Sequence, residues 1–224
     1  MAGEAKKRAE SRVQLSRQRV LAAAVSMADN HGLETLSMRG LARELGAGAM
    51  SLYYHVASKD DLLDAMIDVV FGEIDLPPTD CDWKAAIRQR ALSARHVLAR
   101  HPWAIGLMES RANPGPANVR HHEAVLATLR QAGFSVVMAT HAYWILDSYL
   151  YGFALQETSL PFATPEELAE MTSDVYLPQI PADEYPYLNE AATDLIEAGY
   201  DHTSEFAFGL DLILDALEGL RPSV

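Results

Sequence analysis

The chain has 224 residues, of which 49% are hydrophobic, so it is long enough for one or two domains with a sizeable core. Its single cysteine, Cys81, excludes an internal disulfide and a cysteine-based zinc cluster, and favours a reducing, cytoplasmic location. No stretch approaches the roughly 20 apolar residues that cross a bilayer, and the charged N-terminus has no apolar segment behind it, so we expect neither a membrane anchor nor a secretory signal.

The net charge of −13 is distributed unevenly. Residues 1–59 carry nine Lys/Arg and five Asp/Glu, a balance of +4, whereas residues 60–224 carry nine and 26, a balance of −17. No Lys or Arg occurs between Arg130 and Arg221. A basic end on an acidic body orients a protein toward a polyanion such as DNA. The alternative is that the acidic helices only provide solubility.

The first predicted element is a flexible arm over residues 1–15, which is polar and partly basic and which we expect to attract DNA phosphates without sequence preference. An amphipathic helix over about 17–30 follows. Gly32 is expected to end it, because glycine accepts the backbone conformation that terminates helices. This helix would pack across the next two and complete a three-helix unit.

Residues 35–59, TLSMRGLARELGAGAMSLYYHVASK, predict two short helices joined by a tight turn. Ser37 is placed to cap the first helix, Gly46 ends it, and Gly48 completes the turn. The second helix, over about 49–56, is polar and aromatic on its outer face. Two helices at a steep angle across a short turn form a helix-turn-helix, whose second helix fits the DNA major groove. The alternative is an ordinary helical hairpin buried in an all-α protein.

Further helices are predicted after this motif, and no strand-like alternation is present. Residues 159–187 contain five prolines and predict a long loop, with a turn of helix at 165–171 as an alternative. The approximate helical ranges are 60–74, 83–100, 103–109, a helix that ends at 131, 135–158, 189–198 and 203–220.

The run LARELG, followed by SLYYHVASKDDLLDAM, resembles the DNA-binding domain of the TetR family of bacterial one-component repressors. GFS at 133–135 and FAFGLDLILDALEGL at 206–220 resemble the regulatory domain of the tetracycline-repressor branch. The resemblance implies an all-α protein with a three-helix, helix-turn-helix DNA-binding domain over 16–75, after the arm. It also implies a helical domain over 76–224 for ligand binding and dimerisation.

The resemblance further implies which residues contact DNA. Tyr53, His55 and Lys59 match positions that anchor phosphates in the tetracycline branch, and their hydrogen-bond donors suit that role. Arg39 matches a base-contacting arginine, which can bind guanine through two hydrogen bonds. The predicted DNA-binding residues are Arg39, Gly48, Ala49, Met50, Ser51, Tyr53, Tyr54, His55 and Lys59.

Part of this motif departs from the branch. Gly48-Ala49-Met50 replaces a polar, proline-containing run, so base readout there is expected to be apolar or through the backbone, and the operator sequence cannot be carried over. Ser51 replaces a common threonine and keeps the hydroxyl. Tyr54 stands where tryptophan is also found, and is expected to pack against sugar, backbone or a thymine methyl. For each residue the alternative is a surface or packing role.

The regulatory domain is expected to form a homodimer. A helical stripe near the C-terminus, flanked by small residues, would join the helix at 135–158 in a four-helix bundle from two chains. The alternative is that this stripe faces the core of its own chain. A twofold dimer would place two recognition helices about one DNA turn apart on a palindrome. The predicted interface residues are Phe206, Leu210, Ile213, Leu214 and Leu217.

The expected effector site has aromatic and apolar walls with a few polar groups, as small-molecule sites do. For any single residue the alternative is a core position. Leu107 stands where tetracycline repressors hold a metal-binding histidine, with His101 and His121 nearby, so we assign no metal. A small hydrophobic or aromatic effector is expected, such as a polyketide-like or other aromatic metabolite, with a cationic or amphipathic one as the alternative. The predicted residues are Trp103, Leu107, Met108, His121, Tyr143, Trp144, Asp147 and Tyr151.

The sequence shows no nucleotide-binding glycine loop, nucleophile elbow or metal-ligand spacing, so we predict neither an enzyme nor a cofactor. We predict a transcriptional repressor that a small molecule releases from a palindromic operator. A ligand-responsive activator of the same fold is the alternative, and a structural protein whose head has lost DNA binding is another. Ligand would act by moving the helix at 60–74, through its different affinity for two conformations.

Overall fold

The computed structural model describes residues 15–221 except 109, 112, 163 and 200, and gives only the backbone of residue 198. In this part of the chain the structure is all-helical, with no strand, which confirms the expected fold class. None of the described helices is both long and apolar enough to cross a membrane. The predicted arm, apart from Leu15, lies outside the described residues.

The helices are named in chain order. Short 3₁₀ turns lie at Leu33–Thr35 and Leu177–Gln179, and a π-helical turn lies at Thr172–Tyr176. The α-helices are α1 (Arg17–His31), α2 (Met38–Glu44), α3 (Ala49–Leu52), α4 (Lys59–Glu73), α5 (Trp83–Arg100), α6 (Pro102–Met108), α7 (Pro116–Gln131), α8 (Val136–Ser159), α9 (Pro165–Met171), α10 (Pro186–Ala198) and α11 (His202–Glu218).

Two predictions of secondary structure were wrong. The second helix of the motif ends at Leu52, and residues 53–55 form a turn in which the N–H of His55 bonds to the carbonyl oxygen of Leu52 at 2.8 Å. The turn of helix allowed at 165–171 is present as α9, but the π turn and a 3₁₀ turn continue it to residue 179, so the expected long loop is shorter than predicted. Proline at the first position of α9 is compatible with a helix start, because that position needs no N–H donor.

Helix starts follow the capping chemistry of the sequence. Ser16, Ser37 and Ser58 cap α1, α2 and α4, each accepting from the backbone N–H three residues later at 3.0–3.2 Å. Ser135 caps α8 in the same way at 3.2 Å, and Asp201 caps α11. Because each cap satisfies a donor that the helix itself leaves without a partner, these residues define where the elements begin.

The chain divides into two compact units. Of the described residues, the first unit contains those from 15 to 74 together with 100–123. Its core is formed by the inward faces of α1 to α4, and Val20, Leu41 and Leu52 in it are fully buried. This packing fixes the angle between α2 and α3.

The second unit contains residues 75–99 and those from 124 onward. Within it α11 packs against α8: the Tyr149 ring stacks on Phe206 with centroids 5.4 Å apart, and Phe153 meets the same ring edge-on at 5.1 Å. The Arg95 guanidinium lies 5.5 Å from the centre of the Phe206 ring. An aromatic cluster therefore joins the two long helices of this unit to α5.

The cations of α5 neutralise acids on α8 and α11. Arg88 bonds to both carboxylate oxygens of Asp211 at 2.8 and 3.1 Å. Lys84 pairs with Asp215 at 2.9 Å, and the indole N–H of Trp83 donates to Glu218 at 3.0 Å. Since residues 131–220 contain no Lys or Arg, α5 supplies the positive charge that these helices lack.

Candidate nucleic-acid interface and regulatory region

The orientation of the recognition helix α3 is set by two apolar anchors. Leu52 is fully buried and Val56 nearly so. The opposite face is consequently turned to solvent, where Met50 is 75% and Tyr54 89% exposed. Large apolar and aromatic side chains left this open in a small helical unit are typical of a binding surface.

The turn between α2 and α3 depends on one glycine. Gly46 has a φ of +62°, in the left-handed region that other residues adopt only at a cost. The N–H of Ala47 then bonds to the carbonyl oxygen of Ala42 at 2.9 Å, which satisfies an orphan acceptor at the end of α2. Gly48, by contrast, has an ordinary φ of −78° and serves as the residue before α3.

The segment after α3 is held by contacts at the start of α4. The N–H of Ala57 donates to the Asp61 carboxylate at 2.7 Å, while the N–H of Asp61 donates to Ser58 at 3.0 Å, a reciprocal cap. Arg17 on α1 donates to the carbonyl oxygen of His55 at 3.3 Å. These bonds fix the backbone that carries the predicted phosphate-binding residues.

Three exposed cations lie on the helices before and after α3. Arg39 and Arg43 on α2, and Lys59 at the start of α4, form no ion pair with any residue that the structure describes. Arg43 was not predicted, although its position four residues after Arg39 places both on one helix face and could have indicated it. Cations that remain available to solvent can bind an external anion.

The other predicted DNA-binding residues lie on the same stretch of chain. Tyr53 is 45% exposed in the turn after α3. Ala49, Ser51 and His55 are partly buried. The hydroxyl, ring and imidazole groups therefore lie on one continuous segment that ends at Lys59.

The predicted effector residues fall into two groups, one in each unit. In the first unit Met108 and His121 are buried, and Trp103 and Leu107 are partly buried. The indole N–H of Trp103 donates to Asp29 at 2.6 Å, and the His121 ring lies 6.0 Å from that of Phe71.

In the second unit, Tyr143 and Asp147 are buried on α8, Tyr151 is partly buried, and Trp144 is 58% exposed. Asp147 forms a buried ion pair with Arg90 of α5 at 2.9 Å. Burial, and then the neighbouring Asp147 carboxylate, raise the pKa of Tyr143, so its phenol stays protonated. Arg90 was missed because its partner lies 57 residues away in the chain.

A set of polar contacts connects α4 with the segment that leads into α7. Arg111 pairs with Asp64. The Asp68 carboxylate accepts from the N–H groups of Ala117 at 2.7 Å and Asn118 at 3.1 Å, and so caps α7. A Cβ on Gly115 would come within 2.2 Å of Asp68, so glycine permits this close approach.

The predicted dimer stripe lies mainly inside its own chain. Phe206, Leu210, Leu214 and Leu217 are each at most 2% exposed, and Ile213 is partly buried. These four side chains fit the alternative interpretation, in which the stripe faces the core of its own chain. The large apolar residues that α8 and α11 present to solvent are Val136, Val137, Trp144, Ile145, Leu155, Phe208 and Leu212.

The described residues contain no group of three or more His, Cys, Asp and Glu side chains that could hold a metal ion. His101 instead contacts two carboxylates, that of Asp29 at 2.7 Å and that of Glu73 at 3.2 Å.

Comparison with known proteins identifies the family. Residues 20–66 match the profile of bacterial regulatory proteins of the tetR family, and residues 76–221 match that of the tetracycline repressor-like C-terminal domain. The HTH-type transcriptional repressor DrrR1 of Streptomyces coeruleorubidus is 36% identical over 216 residues, which cover 92% of this chain and 78% of DrrR1.

Solved structures share the fold. The TetR family protein ActR of Streptomyces coelicolor in complex with actinorhodin matches with a TM-score of 0.78 and 28% identity, over 94% of this chain and all of ActR. BioQ with its double-stranded DNA operator matches with a TM-score of 0.64 and 25% identity, over 91% of this chain and 98% of BioQ. With both profiles matched in order, the chain belongs to the TetR family of bacterial transcriptional regulators, a family of non-enzymatic proteins.

Proposed function

We propose that this regulator is a transcriptional repressor, acting in the cytoplasm, that binds a palindromic operator as a homodimer and is released by a small-molecule effector. The observation that carries the proposal is the exposed face of α3, flanked by three cations that pair with no described residue. The relatives support it, since DrrR1 is a transcriptional repressor, BioQ is bound to an operator and ActR to actinorhodin.

Contacts to DNA follow from the chemistry of this face. Lys59, Tyr53 and His55 donate to phosphates and position the head. Arg39 reads a guanine edge in the major groove, and Arg43 adds a phosphate contact. Met50 and Tyr54 contribute apolar contacts, such as those that a thymine methyl group accepts.

A homodimer would cover some of the apolar residues that the second unit leaves exposed. Phe208 and Leu212 lie four residues apart on α11, 64% and 56% exposed, and Trp144 and Ile145 lie on α8. We assign the interface to this face, with the partly buried Ile213 beside it. Twofold pairing of α8 and α11 would give a four-helix bundle and two heads spaced for a palindrome.

The effector would act through α4. Asp64 and Asp68 tie α4 to the segment that starts α7, and α7 runs from residues of the first unit into residues of the second. The buried group of Tyr143, Asp147 and Arg90 offers polar anchors for an aromatic effector. Effector with greater affinity for a shifted α4 would lower the population that fits the operator.

The direct test is binding of the purified dimer to DNA from the promoter next to its gene, followed by fluorescence anisotropy over a range of salt concentrations. Lys59→Ala should weaken binding and reduce the salt slope by about one unit. Lys84→Ala is the matched control, because it removes the same charge from a cation that is paired with Asp215.

Equal effects of the two variants would contradict the proposed interface. A reporter gene behind the same promoter decides the direction of regulation, since a repressor lowers its transcription and an activator raises it. An effector panel that leaves the affinity for the promoter DNA unchanged would contradict the proposed release mechanism.

A further inference from the structure

The second unit contains an apolar cavity whose lining includes none of the predicted effector residues. Its volume is about 450 Å³, and it lies between the segment after α8, α9, the π turn and α10. Leu168 and Thr172 are at most 5% exposed and form its floor, whereas Tyr176 and Leu188 are about half exposed and lie at its mouth. A volume of this order is typical of sites that hold small organic molecules.

The cavity favours uncharged molecules. None of the described residues that line it is Lys, Arg, His, Asp or Glu, and their side chains are apolar apart from the hydroxyl groups of Thr172 and Tyr176. A charged group that entered the cavity would lose its hydration without gaining an ion pair, which costs free energy. The site therefore discriminates against ions of either sign.

The floor of the cavity carries a hydroxyl that is not used within the protein. Thr172 is 4% exposed, and its hydroxyl forms no hydrogen bond with any residue that the structure describes. Threonines on the regular helices differ, since Thr128, Thr140 and Thr193 each donate to the carbonyl oxygen four residues earlier at 2.8–2.9 Å. A buried hydroxyl without a partner costs free energy, so Thr172 gains from a molecule that supplies an acceptor.

Thr172 also stands at an irregular point of the backbone. It begins the π turn Thr172–Tyr176, and both end residues of this turn line the cavity. π-helical turns are rare and occur frequently at functional sites. A buried hydroxyl, an apolar cavity and a π turn thus coincide at one position of the second unit.

We propose that this cavity is a binding site for uncharged, largely apolar molecules that carry a carbonyl group, such as aryl ketones, and that the Thr172 hydroxyl donates to the carbonyl oxygen. A carbonyl suits this position because it accepts a hydrogen bond and brings no further donor into an apolar space. The proposal does not depend on the repressor function, since it concerns binding within the second unit and requires no DNA.

The test uses three fluorescent probes that respond to an apolar environment. Prodan is an uncharged naphthyl ketone, N-phenyl-1-naphthylamine is uncharged and has no carbonyl group, and 1-anilinonaphthalene-8-sulfonate is the same arylamine with a negative charge. Titration of the full-length protein gives each affinity. We expect the sulfonate to bind at least about tenfold more weakly than the uncharged arylamine, because no described residue of the lining can neutralise it.

Thr172→Val tests the hydrogen bond, because it keeps the shape of the side chain and removes the hydroxyl. It should weaken prodan binding by about threefold to tenfold and leave the affinity for N-phenyl-1-naphthylamine unchanged. Thr193→Val is the matched control on α10, since that hydroxyl donates to the carbonyl oxygen of Asn189 and is not part of the described lining. The ratio of the two affinities is the readout, because a general loss of packing would change both.

Ala192→Phe tests the location of the site. It should fill the cavity and remove the binding of both uncharged probes, whereas Ala22→Phe, which adds the same ring at an exposed position on α1, should bind them like the wild type. The nearly isosteric Thr172→Val keeps the test valid even if Ala192→Phe does not fold.

Three results would overturn the proposal. The first is equal binding of the uncharged probes by the two phenylalanine variants, both shown by thermal melting to be folded. The second is the same ratio of prodan affinity to N-phenyl-1-naphthylamine affinity in Thr172→Val and in the wild type. The third is equal affinity for N-phenyl-1-naphthylamine and its sulfonate.

Discussion

Arg39 and Arg43 lie on the exposed face of α2, and they allow base readout and phosphate contact to be separated. Arg39→Ala should cost roughly 1–3 kcal/mol of binding free energy and relax specificity at one base pair per half-site. Arg43→Ala should weaken binding to all sequences alike. Anisotropy titrations against the operator and its single-base variants measure both effects. If Arg39→Ala weakens all duplexes equally, Arg39 contacts a phosphate.

The buried pair of Arg90 and Asp147 makes a prediction about stability. Asp147→Ala leaves a buried guanidinium without its partner and should cost roughly 3–5 kcal/mol of unfolding free energy. Arg88→Met, which breaks the exposed pair with Asp211, should cost at most about 1 kcal/mol. Urea denaturation compares the two. If both variants lose a similar amount of unfolding free energy, burial does not make the Arg90–Asp147 pair more important for stability than the exposed pair.

Asp201 has a pKa that depends on its cap. The Ser204 hydroxyl donates to its carboxylate at 2.6 Å, and the N–H groups of Ser204 and Thr203 donate at 2.8 and 3.2 Å. These donors lower the pKa of Asp201 below 3.8, with the hydroxyl of Ser204 contributing most. Because the pKa is lower in the folded state, the cap stabilises the fold above pH 3.8 and loses this effect as pH falls through the folded-state pKa.

Ser204→Ala should therefore raise the pKa of Asp201 toward 3.8, whereas Ser204→Thr, which keeps the hydroxyl, should hold it low. An NMR titration that follows the Asp201 side-chain carboxyl measures the change. An unaltered pKa in Ser204→Ala would assign the effect to the backbone donors alone.

For single residues, the sequence predicted roles that depend on neighbours in the same motif. It did not predict roles that depend on a contact with a residue far away in the chain. Ser37 and Gly46 could be assigned because each acts within a few positions of its neighbours. Arg90 could not, since nothing local marks a partner on another helix. The face of α11 was also ambiguous, because Phe206 and Phe208 lie on different faces that are both apolar, and only packing against α8 decides which one is internal.

Among the elements, the turn of the helix-turn-helix depends most on glycine. Gly46→Ala should cost roughly 1 kcal/mol of stability, because φ is +62° there and no neighbouring atom lies within 4 Å of a new Cβ to clash with it. Gly48→Ala is the matched control, with an ordinary φ and only Ser51 Oγ at 3.7 Å. Urea midpoints measure both variants, and an equal shift would contradict the role of the backbone conformation.

Helix ends were predictable where a cap or a glycine marks them, and poorly elsewhere. The end of α3 was misplaced because Tyr53, Tyr54 and His55 carry no stop signal, and the turn forms when Val56 is drawn into the core. The segment 159–187 was read as a loop from its prolines. Proline disrupts a helix when it stands in the interior, but it is tolerated in the first turn. Pro165 and Pro186 stand at the first positions of α9 and α10, so they are compatible with these helices.

For the whole molecule, dimerisation should depend on the outer face of α11. Phe208→Glu introduces a charge into the proposed apolar interface, so it should convert the dimer to a monomer and greatly weaken operator binding. Val119→Glu is a control of the same kind on α7, where an exposed apolar residue lies outside that face. Sedimentation velocity and operator titration test both, and a dimeric Phe208→Glu would place the interface elsewhere.

The distribution of charge is a second property of the whole molecule. The balance along the sequence predicted the basic head, and the structure explains how the acidic body tolerates its charge. Lys84, Arg88 and Arg95 of α5 pair with acids on α8 and α11, so much of the local repulsion is removed. The acidic partners of these cations could not be predicted from the sequence, because the two members of each pair are more than 60 positions apart.

The Asp68 cap determines which relative motions of α4 and the start of α7 are possible. One carboxylate accepts from two first-turn donors of α7, donors that a helix cannot satisfy internally. If α4 slid along its axis by one helical turn, about 5.4 Å, both bonds would be lost. We expect a tilt of α4 about Asp68 to keep them, because Gly115 has no side chain that would push Asp68 away. We therefore expect this contact to act as a pivot, which permits rotation at this point and resists translation.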